Sequence, residues 1–306
     1  MTLRTVSATL LLGAAPLLAQ TPQRPPTFEV GIEVINLNLS VTDSRNNYVT
    51  DLTEKDFAIF EDGIRQDLSL FTHENLPISM LVMIDVSASM DEKLPQARAA
   101  ASRFIRTLRP QDSAQVAQFN DRATVLQDFT ADVPALESAI LKTNASGPTA
   151  LHNALYIGLK DLGRQKKAGE VRKRAVILLS DGEDTASLVN DEQVLELARK
   201  TEINIYAISL RPNRAQDRQR QAFSQAEYLL TALSRETGGR VFFPNSISEL
   251  DSVYDRIAEE LRTQYSVGYV SSNRRKDGKW RRIVVRVPTR EELQVRHKLG
   301  YYAPPS

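Results

Sequence analysis

The chain of 306 residues has no cysteine. Disulfides, a thiol nucleophile, a cysteine zinc site and a lipid-modified N-terminal cysteine are therefore excluded. Histidine is nearly as scarce: His73, His152 and His297 are scattered along the chain and suggest no catalytic constellation. Charge of one sign is missing too. The formal net charge is +1, so composition gives no strong pull toward nucleic acid or an anionic membrane. No glycine-rich phosphate loop is present, and no DxD follows an apolar strand, because position 87 is serine. This removes the usual signatures of a phosphoryl-transfer site.

What is present begins with a processing signal. Arg4 supplies a positive start, and Val6 to Ala19 is apolar or small. The run is too short for a comfortable span and suits a secretory signal cut near Ala19, with a retained anchor as the alternative. Cleavage there removes one positive charge and no acid, which brings the formal charge from +1 to zero. A secreted or periplasmic location follows, with no integral span in the mature chain. Residues 20–27 are proline-rich and read as an extended linker.

Residues 28–76 alternate in the manner of strands. Leu37, Leu39 and Val41 fall on one face, and Glu61-Asp62-Gly63 marks a turn between Phe57–Phe60 and Leu68–Phe71. From Ile78 to about residue 264 strands alternate with helices, which predicts a parallel, doubly wound sheet. Asn120-Asp121-Arg122 is tight enough for a hairpin, so one edge strand should run antiparallel. Ala175-Val176-Ile177-Leu178-Leu179 is the most apolar stretch of the mature chain and is predicted to be a central strand. Asp91 and Glu92 are expected in the first turn of the helix carrying Leu94 to Leu108. Ser246 and Glu249 have capping-box spacing. Residues 211–227 look like a polar insertion. From residue 265 alternation returns, with a turn at Asp277-Gly278 and a last strand over Leu293 to Leu299. Neither β flank can bury much core alone, so 28–76 and 265–306 are expected to combine into one β-sandwich beside an α/β domain at 77–264.

The sheet's apolar run Met80–Ile84 ends in Asp85-Val86-Ser87-Ala88-Ser89. One carboxylate and two hydroxyls at alternate positions can all face one hard cation. Such strand ends are also where α/β sheets bind ligands. The plainer alternative is that Ser87 and Ser89 cap the next helix.

Asp85-x-Ser87-x-Ser89 resembles the opening of a metal-ion-dependent adhesion site in a von Willebrand factor type A domain. Gly147-Pro148-Thr149-Ala150-Leu151 resembles that family's threonine loop, and Leu178–Asp184 resembles its second aspartate loop. Together with the flanks, the chain resembles a bacterial secreted subgroup with a related domain. The resemblance implies metal ligands Asp85, Ser87, Ser89, Thr149 and Asp181. It implies a divalent cation, magnesium foremost, with manganese or calcium as alternatives, and a partner protein that offers an Asp or Glu carboxylate. Pro148 stands where the family usually has glycine, which fixes φ and limits movement of Thr149. Asp184 is read as a solvated loop acid, with tuning of the metal's charge as the alternative, and His152 as an ordinary packed or exposed helix residue, with facing the metal as the alternative.

Two other functions compete with a binding module. A magnesium-dependent phosphoryl-transfer-type hydrolase would also use a strand-end aspartate, but lacks a visible nucleophile or phosphate cradle. A scaffold without metal would leave the five oxygens idle. The basic clusters, including Arg172-Lys173-Arg174 and Arg274-Arg275-Lys276, are balanced by acids and are not expected to bind nucleic acid.

Overall fold

The computed structural model describes residues 34–73, 76–165, 172–181, 184–210 and 225–305. The expected signal segment (1–19) and linker (20–27) lie outside the described residues, as do Gly182, Glu183 and most of the polar stretch 211–227.

The N-terminal flank supplies β1 (Val34–Thr42), β2 (Ala58–Glu61), β3 (Ile64–Gln66) and β4 (Leu68–Thr72). Asp62 and Gly63 both take positive φ, +48° and +84° in the tight link from β2 to β3. Glycine enters that region at little cost. The hairpin pairs Ile59 with Gln66, so the segment expected as one turn between two strands holds a third, short strand.

The central part follows as β5 (Ile78–Asp85), α1 (Leu94–Ile105), β6 (Ser113–Phe119), β7 (Ala123–Thr130), α2 (Val133–Leu141), α3 (Leu151–Arg164), β8 (Lys173–Ser180), α4 (Asp191–Lys200), β9 (Asn204–Ser209), α5 (Gln225–Thr237), β10 (Arg240–Phe242) and α6 (Leu250–Thr263). Its six strands lie in the order β10-β9-β8-β5-β6-β7. All neighbours run parallel except β6 and β7, the hairpin foreseen at Asn120–Arg122. Every residue of β5 and β8 is buried, as expected for strands covered on both faces. One face packs on α1, α2 and α6, the other on α3, α4 and α5. Gly158 lets α3 approach β5, because a β-carbon there would stand 2.7 Å from Leu81 Cδ2.

The C-terminal flank supplies β11 (Tyr265–Val270), β12 (Trp280–Arg286), β13 (Gln294–Arg296) and β14 (Gly300–Tyr302). With the N-terminal flank these form two antiparallel sheets, β13-β1-β11-β4 and β14-β12-β2-β3. Each sheet draws strands from both flanks, and the two share a third core around Leu39, Ile59, Tyr265 and Ile283. The fold is thus an α/β doubly wound, mostly parallel sheet with extra antiparallel sheets from both flanks.

Three local expectations need correction. The strand expected over Leu293 to Leu299 covers only Gln294–Arg296, and the tail after it holds a further short strand, Gly300–Tyr302, in the other sheet. The crossing is pinned by buried His297, whose Nε2 accepts the Val285 N–H at 3.2 Å while Nδ1 lies 2.7 Å from the Lys298 carbonyl. Helix α1 begins at Leu94 rather than at Asp91, after a single tight turn at Ala88–Met90, with Pro95 in its first turn. At Ser246 the capping box is absent. Its hydroxyl meets Ser248 Oγ at 2.8 Å, and Glu249 instead accepts from Asn245 N–H at 3.2 Å.

The flanking sheets attach at the N-terminal ends of the parallel strands. Asn38 Nδ2 donates to Asn204 Oδ1 at 3.0 Å, and Ser40 Oγ donates to Glu260 Oε1 at 3.0 Å. Asp85 closes β5 at the other end, so that rim of the sheet is left to its loops.

Candidate functional site

Three loops meet at the C-terminal rim. The parallel register sets Ile84 beside Leu179, so the next residues, Asp85 and Ser180, are neighbours. Ser180 Oγ donates to Asp85 Oδ2 at 2.6 Å, and Ser87 N–H donates to Asp85 Oδ1 at 2.9 Å. Asp85 is fully buried. Burial pushes its carboxyl above the ordinary aspartate range. The bonds from Ser180 and Ser87 hold it partly back, and the nearby Asp181 charge adds to the rise.

Ser87 precedes the tight turn at Ala88–Met90, yet its side chain caps nothing. Its Oγ lies 3.0 Å from Ser89 Oγ instead. The capping alternative is thereby removed for Ser87. Both hydroxyls sit on the loop leaving β5, where their spacing of two brings them to the same side.

The threonine loop is tied to this one by backbone bonds. Ser146 N–H donates to Val86 O at 2.7 Å, and Ala88 N–H to Gly147 O at 2.9 Å. Gly147 adopts φ +74°, which a side chain would resist. Thr149 is buried. Its N–H donates to Thr185 Oγ1 at 3.0 Å, and its carbonyl accepts from Thr185 N–H at 2.8 Å and Ala186 N–H at 3.0 Å. The third loop, after β8, is therefore stitched to Thr149 just as the second is stitched to Val86 and Ala88. Asp181 opens that third loop and pairs with Lys93, whose Nζ lies 2.8 Å from Asp181 Oδ2.

Asp184 departs from its reading as a solvated acid. Its Oδ2 accepts the His152 N–H at 2.9 Å in the first turn of α3, and Oδ1 accepts Ser187 N–H at 2.9 Å. Burial raises its carboxyl, but the hydrogen bonds from Ser187 and His152 win and leave it below the usual range. It therefore fixes the start of α3, and with it the position of Thr149 just upstream. His152 Nδ1 sits 3.2 Å from Asp184 and from the Val189 carbonyl, so of packing and exposure the structure shows packing.

Sequence reasoning placed Ser180 in the second aspartate loop without a role, and missed Lys93 and Thr185 as parts of this rim. Ser180 could have been found from the register alone, since it ends the strand beside β5. Lys93 and Thr185 carry no comparable signal, because each reaches its partner only through loop geometry.

Oxygen donors of this kind are the type that suits a hard cation. No group of three or more carboxylate or imidazole side chains is placed to hold a metal among the described residues. The rim instead offers hydroxyls around one buried carboxylate. Two adjacent ligands of an octahedral magnesium, each about 2.1 Å from it, stand about 3 Å apart. The Ser87 and Ser89 hydroxyls are 3.0 Å apart.

Residues 80–183 match the von Willebrand factor type A domain family. The inter-alpha-trypsin inhibitor heavy chain H1 of Sus scrofa is 27% identical over 173 residues, covering 49% of this chain and 19% of that protein. The chain thus corresponds to about a fifth of that relative's length. A von Willebrand factor type A structure from Catenulispora acidiphila superposes with a TM-score of 0.50 at 15% identity, covering 76% of this chain and 52% of that one. The mussel byssus proximal thread matrix protein 1, solved with a zinc-occupied metal-ion-dependent adhesion motif, gives a TM-score of 0.50 at 20% identity, covering 66% of this chain and 49% of that one. Residues 80–183 thus match the von Willebrand factor type A domain family, and the α/β part as a whole shares the fold of such structures.

Proposed function

We propose that the chain is a divalent-cation-dependent protein-binding module that acts outside the cytoplasm and carries out no catalysis. The observation that supports this most is Asp85. It is fully buried, yet no lysine, arginine or histidine pairs with it among the described residues. A buried carboxylate without a countercharge is costly, and a divalent cation is the compensation its surroundings suit. Ser87, Ser89 and Thr149 would hold the cation by hydroxyl, and Asp85 and Asp181 by carboxylate or through bound water. Zinc in the adhesion motif of the mussel protein supports a cation of this class, and magnesium fits the all-oxygen donors better.

When bound, the cation supplies Lewis acidity for an oxygen ligand from outside. Mostly neutral hydroxyl ligands would leave it electron-poor, so a partner's Asp or Glu carboxylate is the favoured last ligand. Neighbouring side chains then decide which carboxylates gain enough added contact to shed their hydration. We take residues 77–264 as the binding domain, and 28–76 with 265–306 as its supporting sandwich. The apolar N-terminal run supports a secreted or periplasmic place, and no helix among the described residues is long and apolar enough to cross a membrane.

Melting curves with magnesium, manganese, calcium and zinc test the reading. A cation at 100 times its Kd adds about 2.7 kcal/mol, which raises Tm by roughly 5 °C in a chain of this size. Asp85→Ala and Ser87→Ala are expected to abolish the rise, and chelator to release a carboxylate-bearing partner. A Tm unmoved by all four cations overturns the proposal.

A further inference from the structure

A second polar site lies at the far end of the sheet from Asp85. A cleft of about 360 Å³ opens between α5, the start of β10 and the strands β1 and β13. Its polar wall includes Thr231, Ser234, Arg235, Arg240, Gln294 and Arg296, and no acidic residue lines it among the described residues. Arg296 is paired with the buried Glu260. Arg235 and Arg240 have no carboxylate partner among the described residues, although acids and bases are nearly equal in number along the chain. Arg240 is held across the Phe242 ring, its guanidinium carbon 5.5 Å from the ring centroid.

Ser234 is the independent observation. It is 2% exposed, and its hydroxyl has no hydrogen-bond partner among the described residues. Buried hydroxyls are almost always satisfied, and this one lies just beneath the cleft wall, where a turn of its side chain brings it to a ligand oxygen. The floor adds Val241, Val295 and Leu299, which suit carbon rather than charge.

From these features we propose that the cleft binds a phosphate monoester of a small organic molecule. Two unpaired guanidiniums match phosphate oxygens in charge and fork geometry, and the Ser234 hydroxyl gives a further contact. The apolar floor takes the organic part. The site is separate from the cation rim and does not depend on it.

Calorimetry on the full chain tests this, in chelator so that phosphate cannot bind through a cation at the rim. The probes are inorganic phosphate, glycerol 3-phosphate and glycerol. Glycerol 3-phosphate should bind several times more tightly than inorganic phosphate, and glycerol not at all. Arg240→Ala and Arg235→Ala should each lower affinity at least tenfold. Ser234→Ala should lower it severalfold with Tm unchanged, since its hydroxyl has no partner to lose. The double change Arg274→Ala with Arg275→Ala, in the exposed basic cluster, should leave binding as it is. Equal affinity in wild type and Arg240→Ala overturns the site, as does an equal loss in the Arg274/Arg275 control. Glycerol 3-phosphate binding no better than inorganic phosphate overturns the assignment to an organic monoester.

Discussion

Glu260 and Asp85 are both fully buried, at opposite ends of one parallel sheet. Glu260 is surrounded by donors. Ser40 Oγ at 3.0 Å and Tyr206 OH at 2.7 Å reach Oε1, Tyr48 OH at 2.9 Å reaches Oε2, and Arg296 supplies the countercharge. Glu61, inside the flanking sandwich, is treated alike, with Arg281 Nη1 at 3.2 Å, Ser271 Oγ at 2.7 Å and Tyr269 OH at 2.9 Å. Asp85 has a hydroxyl and an amide, and no basic side chain pairs with it among the described residues. Where the molecule needs a buried acid only for architecture, it closes the charge internally. Asp85 is left without that internal closure, which the proposed cation would supply.

That contrast can be broken by substitution. The largest effect is expected at Glu260. Glu260→Ala removes one partner of a buried pair and leaves Arg296, Tyr48 and Tyr206 facing an emptied site, a loss of about 3–5 kcal/mol by urea unfolding. A loss under about 1 kcal/mol would mean that the network only decorates the contact between α6 and β1. Asp85→Asn should behave in the opposite way. In chelator it removes an uncompensated buried charge, so unfolding free energy should hold steady or rise by about 1 kcal/mol, while the response to cations disappears. A large loss in chelator would place Asp85 with Glu260 as an architectural acid.

Lys173 sharpens the comparison with a buried base. It is 2% exposed, and its Nζ donates to the Leu261 and Gln264 carbonyls at 3.0 and 2.9 Å, at the end of α6. Burial, helped by Arg109, pulls its ammonium down to about 8. Its folded value lies below its unfolded one, so the charged form is disfavoured in the folded state. This cost is fully present below pH 8 and fades as pH rises toward 10.5. Wild type should therefore gain about 2 kcal/mol relative to Lys173→Met between pH 7 and 9.5. Parallel pH profiles for the two proteins would show that Lys173 stays charged and content on its two carbonyls.

Much of this was legible in the chain itself. The apolar runs of β5 and β8 and the hairpin after β6 follow from pattern alone. The likeness of the three rim motifs identified the fold, because each sits where a buried strand gives way to a loop. What escaped was set by contacts distant in sequence. Periodicity cannot show that the chain leaves one sheet after Arg296 and enters the other at Gly300, since His297 pins the crossing through Val285. Nor can it show that Asp184 anchors α3 instead of facing solvent. The Glu260 network was invisible for the same reason: Ser40 and Glu260 are 220 residues apart. Lys93 had no pattern to mark it, although it touches the acid that opens the third loop.

Lys93 carries the smallest expected effect and the finest distinction. Its ammonium sits 2.8 Å from Asp181 Oδ2, with the lysine side chain 22% and the aspartate 9% exposed. A partly wet pair of this kind contributes little to stability, about 1 kcal/mol at most. Its weight falls on the rim instead. Lys93 shares Asp181 with any cation bound there, and like charges repel across the few ångströms involved. Lys93→Met should therefore change Tm little in chelator and raise magnesium affinity severalfold by calorimetry. Lowered affinity would mean that Lys93 holds Asp181 in the binding position, so that the ammonium orients the carboxylate more than it competes for it. The same titration on Lys93→Arg separates the two roles. A guanidinium keeps the charge and the reach but changes the geometry, so retained wild-type affinity would assign the effect to charge.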